Sequence, residues 1–216
     1  MREAAIAKEA MTERQWVKAT NPYDMIKDTP GKISSRKLRL FACACCREFE
    51  SLWRPEGRAA VAVALRFADK QATRSELAAA RASVPTISPR TAEGWASNAV
   101  GFSCAASPAN AACWAFSTSC EAAVCGGRRR EDYHRSAVAL LRHVAGNPFQ
   151  PAKRPSVPAT VEHLAAALYD GEDCHFALRD ALLEVGLDEL AGHFAEPFAE
   201  GHPRSCWVVD LLLRKK

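Results

Sequence analysis

The segment "FACACC", Phe41 to Cys46, puts three thiols into four positions, and thiolates serve as nucleophiles, redox centres and ligands for soft metals. Read as part of one helix over Ser34–Trp53 at about 100° per residue, Phe41, Ala42, Cys45, Phe49, Leu52 and Trp53 fall within about 60° of Leu38. Cys45 then sits in the core stripe. Cys43 lies about 160° away from it, and Cys46 falls between them. Thiolates fanned that widely cannot share one ion, so the expectation is that these cysteines act as small apolar residues, with Cys43 the more accessible. Cys113, Cys120 and Cys125 on a later helix are too thinly spread to collect Cu(I).

A second constellation comes late in the chain, where Cys174, His175, His193, His202 and Cys206 are all borderline or soft donors. Four of them would satisfy a tetrahedral zinc, but successive separations of 18, 9 and 4 residues from His175 to Cys206 match no standard finger. The reading is therefore of no bound metal and no cofactor, with these five residues as the ligands if zinc is held. No Cys–His pair carries a nucleophile signature, and no paired carboxylates, glycine-rich phosphate loop or Ser-His-Asp grouping stands out. An enzyme is not expected.

Nearly every segment that must position these residues reads as helix. Thr12 caps a short turn, Pro22 suits a first turn, Ser34 or Ser35 opens the cysteine helix, and Thr73–Glu76 has capping-box spacing. Residues 85–108, rich in Pro, Ser and Gly, read as a long connection with room for one short helix. Ser107-Pro108 starts a helix to Cys125, and a basic helix follows from about Arg129 to Ala145, stopped by Gly146. The fold class is all-α, an irregular bundle of about nine helices that can divide into two lobes. The boundaries are a 1–10 extension, an 11–146 lobe, a Pro-rich 147–159 connection and a 160–216 lobe.

With 216 residues, 48% of them apolar, the chain can build a real core, and nothing in it resembles a signal peptide or an apolar run long enough for a membrane span. Nine cysteines without an export signal argue for reduced thiols and a cytoplasmic location. Formal charge is +4 but segregated: residues 126–154 carry seven Lys/Arg against two acids, and residues 155–216 five against eleven. On the basic helix Arg128, Arg135 and Arg142, spaced by seven, lie opposite the apolar face of Tyr133, Ala137, Leu140, Leu141 and Val144. This stripe, extended by Lys153 and Arg154, is the expected partner-binding surface. Another protein is the favoured partner, with nucleic acid the alternative, since few aromatics interleave the charges.

The motifs "RKLRLFACACC", "GNPFQP", "VEHLAAALYD" and "CWVVDLLL", taken with the "MTERQW" opening, resemble an uncharacterised helical family recurrent in planctomycete bacteria. That family occurs in many paralogous copies, some beside regulatory modules. The resemblance implies an all-helical fold and an interaction or accessory role, with a zinc-stabilised or nucleic-acid-binding regulator as the alternative.

Overall fold

The computed structural model describes residues 10–195 and 206–215, and among them every regular element is helical. Cα proximity divides the chain into two compact units, the first through Leu141 and the second from Arg142. The division falls inside a helix, one turn before the Pro-rich segment that the sequence marks as the connection.

The first unit contains α1 (Glu13–Lys18), α2 (Pro22–Lys27), α3 (Ser35–Arg47), a 3₁₀ turn (Glu50–Leu52), α4 (Pro55–Ala68), α5 (Arg74–Ser83), α6 (Ala92–Ser103), α7 (Pro108–Cys125) and most of α8 (Arg130–Ala145). Starts are set by side-chain caps that satisfy the first backbone N–H groups. Thr12 and Thr73 each form a capping box, with Gln15 and Glu76 respectively, while Ser34, Thr91 and Ser107 cap α3, α6 and α7. Pro22, Pro55 and Pro108 occupy first-turn positions, where no N–H is missed.

Helix α3 is the axis of this unit, packing against α4, α6 and α7. Burial on several sides corrects the expectation for its cysteines: Cys43 is as buried as Cys45, each 1% exposed, and Cys46 is buried with them. Cys43 and Cys46 join Ala60, Val61, Ala64, Ala99, Val100 and Ala111 in one apolar cluster. The amphipathic count failed because it assumed one solvent face, which an axial helix does not have. Desolvation holds the thiols neutral: Cys43 is pushed up to about 12, Cys45 and Cys46 well above the ordinary thiol range.

Arg39 lies in the same interior, 1% exposed, and works as a cap rather than a surface charge. Its guanidinium donates to the carbonyl oxygens of Ser103 at 2.6 Å and Ala105 at 2.8 Å, where α6 ends, and stands over the Phe67 ring. A fork of donors suits converging C-terminal carbonyls, whose partial negative charge offsets part of the cost of burying the cation.

Residues 85–108 hold more order than expected, because α6 fills twelve positions there and packs closely on α7. Its buried residues are Gly94, Ala96, Ala99, Val100 and Ser103, and Ala99 and Val100 share one apolar cluster with Ala111 and Ala115 of α7. Such small side chains let the two backbones approach, yet they give weak hydrophobic periodicity, which is why the sequence read as a connection. At Gly94 an added Cβ would lie 2.1 Å from the Ser88 carbonyl oxygen.

The second unit takes the last turn of α8 and adds α9 (Ala159–Asp170), α10 (His175–Glu184), α11 (Asp188–Gly192) and α12 (Trp207–Leu212). Helix α9 packs on α10 and α12, and α10 on α11. Their shared core holds Val161, Leu168, Leu178, Leu182, Phe194, Val208, Val209, Leu212 and the thiol of Cys206. Arg154 fastens the Pro-rich segment to this unit by donating to the Leu212 carbonyl at 3.0 Å and pairing with Glu162.

Candidate functional site

The expected basic surface is largely taken up by contacts within the protein. Arg128 pairs with Glu48, donates to Ser136 Oγ at 2.5 Å and lies 5.4 Å from the Tyr133 ring centroid, so it turns onto its own unit rather than out to solvent. Arg142 is half-buried, and desolvation lowers its guanidinium from the usual range. Arg154 is the internal fastener already described. Of the five expected residues, only Arg135, paired with Asp132 at 3.2 Å, and Lys153 are exposed. The stripe fails as a continuous patch because Arg is long enough to fold back onto acids and rings of its own unit.

Helix α10 presents a different surface. Leu178 and Leu182 point into the core, whereas Phe176 and Leu183, seven residues apart and therefore about 20° apart around the helix, are 55% and 41% exposed. Val185, just past the helix, is 40% exposed. The helix thus carries apolar residues on two sides, one buried in the core and one exposed among the described residues. The stretch that carries this face is acidic: Glu172, Asp173, Asp180, Glu184, Asp188 and Glu189 are all exposed, with Arg179 the one Lys/Arg in it. His175, a residue expected to ligate if a metal were held, is hydrogen-bonded through Nδ1 to the Asp173 carboxylate at 2.7 Å and lies against Phe176.

Deeper in the second unit three other groups converge. The ligating atoms of His143, His193 and Cys206 all lie within 4.8 Å of one another. His143 comes from the last turn of α8, His193 directly follows α11, and Cys206 is the N-cap of α12, its Sγ accepting from the Val209 N–H at 3.3 Å. The two imidazoles stack at 4.3 Å between centroids, and His193 meets the rings of Trp207 and Phe194 nearly edge-on. Gly146, ending α8 at φ +70°, makes room for this arrangement: a Cβ there would stand 3.1 Å from Cβ and Cγ of Trp207.

Of the five expected ligand candidates, His193 and Cys206 therefore come together. Cys174 and His175 do not join them; Cys174 donates to the Leu164 carbonyl at 3.4 Å, and its thiol is raised by burial and by the neighbouring acids Glu172 and Asp173. His202 lies outside the described residues. His143 was missed because it reads as one more cation on a basic helix, although its place at the edge of the Leu140–Val144 apolar stripe was a usable signal.

Among the described residues, no helix is long and apolar enough to cross a membrane. In comparison with known proteins, no family model matches the chain, and neither a curated protein nor a solved structure matches it significantly.

Proposed function

We propose that this protein is a non-enzymatic helical interaction module that docks a basic amphipathic segment of another protein onto the outer face of α10. The observation that carries the reading is the pair Phe176 and Leu183, exposed on one helix face while Leu178 and Leu182 hold the opposite face in the core. Single exposed apolar residues are ordinary, but Phe176 and Leu183, in register on a ten-residue helix, form an apolar ridge that stays exposed among the described residues. The six acids of the same stretch select the occupant. A helix with apolar anchors and flanking Lys/Arg would bury the ridge and meet the acids, a recurring mode of peptide recognition.

The same charge disfavours the nucleic-acid alternative, because phosphates would be repelled here and the basic helix has few uncommitted arginines. Nine free thiols support a reducing compartment such as the cytoplasm. The resemblance to a planctomycete family with many paralogues supports an accessory role over a unique metabolic step.

Calorimetric titration with a Lys-rich amphipathic helical peptide tests the proposal. Binding should weaken with salt, and Phe176→Asp with Leu183→Asp should weaken it by roughly 30-fold or more, the scale of losing an anchoring side chain. Equal binding by the double variant, or tighter binding of an acidic peptide, would remove α10 as the docking face.

A further inference from the structure

The convergence of His143, His193 and Cys206 concerns different residues from the docking ridge and stands independently of it. We infer that these three side chains form a metal site for zinc. They come from positions spread over most of the second unit, and an ion joining them would tie the end of α8 to the start of α12 and to the chain after α11.

The donor set selects the class of ion. Two imidazoles and one thiol are poor ligands for calcium or magnesium, which take oxygen, and suit a borderline transition metal. Zinc bonds to nitrogen and sulfur at about 2.0–2.3 Å place tetrahedral ligand atoms roughly 3.3–3.6 Å apart. Since the donors lie within 4.8 Å of one another, closing on an ion needs a contraction of no more than roughly 1.5 Å, within reach of side-chain rotation. Binding would move the thiol proton to solvent and leave a thiolate on the metal, while each neutral imidazole gives a ring-nitrogen lone pair. Three protein donors leave a tetrahedral ion one further position.

The surroundings are those of a built site. His143 and Cys206 are buried, and His193 is walled by Trp207 and Phe194. The Val209 N–H already points at Cys206 Sγ, a hydrogen bond that stabilises a thiolate better than a thiol. Need points the same way. The second unit spans only Arg142–Lys216, a size at which small domains often use a metal or other staple to supplement a limited core.

The test uses the full chain, stripped with chelator and titrated with Co(II) and then Zn(II). One equivalent of Co(II) should give tetrahedral visible bands and a thiolate-to-cobalt charge-transfer band, both displaced by Zn(II), with a rise in melting temperature. Cys206→Ser keeps an N-cap oxygen for Val209 and removes the soft donor, so the variant should fold by circular dichroism while losing the charge-transfer band. His143→Gln and His193→Gln should each weaken zinc by at least tenfold. A folded wild-type chain that takes up no zinc would overturn the assignment, as would preference for Cu(I) with zinc excluded, or an unchanged cobalt spectrum in Cys206→Ser. Peptide docking at α10 is scored in a separate titration, so either result can fail without the other.

Discussion

Replacing Gly146 by Ala is the sharpest single perturbation of the second unit, because two separable costs meet at one residue. Its φ of +70° lies in the left-handed region, which costs a residue with a Cβ about 1–2 kcal/mol. The added methyl would also stand 3.1 Å from Cβ and Cγ of Trp207, tighter than normal packing, and overpacking of this kind costs about 1–3 kcal/mol. The expected loss is therefore about 2–5 kcal/mol. Gly186 supplies the control, since its φ of +72° is nearly the same but nothing lies within 4 Å of the added Cβ. Gly186→Ala should cost only the backbone part, about 1–2 kcal/mol. Urea unfolding, followed by circular dichroism on both variants, gives the difference, and Trp207→Ala in the Gly146→Ala background should recover the overpacking component. Equal losses for the two glycine variants would refute the claim that Trp207 closes over the end of α8.

The buried thiols make stability pH-dependent. Between the ordinary thiol value of 9.0 and about 12 the folded chain keeps the Cys43 proton that the unfolded chain releases, so stability is full below about pH 9 and falls as pH rises. Urea titrations at increasing alkaline pH should show a loss of about 1.4 kcal/mol per unit from Cys43 alone, and Cys43→Ala should reduce the slope. Thiol labelling with mass mapping should find Cys125 reactive and Cys43, Cys45 and Cys46 protected, following their exposure. Arg39→Lys should destabilise by about 2–3 kcal/mol in denaturant unfolding, because one ammonium cannot reproduce the fork that serves both the Ser103 and Ala105 carbonyls. Arg128→Glu should lower the melting temperature by setting a carboxylate against Glu48, while Arg135→Glu should leave it nearly unchanged.

Local signals in the sequence carried well where one side chain decides the outcome. Thr12, Thr73 and Ser107 cap the helices their spacing implies, and Gly146 stops α8. Periodicity failed where it depends on there being one buried face. In α3 both Cys43 and Cys45 are interior, and in α6 the packing is carried by Gly, Ala and Ser, whose apolar contrast is too small to register. Partner choice for long cations was also illegible: Arg39, Arg128 and Arg154 look like surface charge in one dimension, yet each reaches a partner far along the chain. The late donors illustrate the same limit. Cys174 and His175 are adjacent in sequence and, among the described residues, join no group of converging donors, whereas His143 reaches Cys206 across most of the second unit.

Amide chemical-shift mapping of the labelled protein during titration with the Lys-rich amphipathic peptide tests the docking proposal most directly. Shifts concentrated on Phe176 to Leu187, with the acids on either side, are the predicted result. Shifts confined to Arg128–Arg135, or none at saturating peptide, would contradict it.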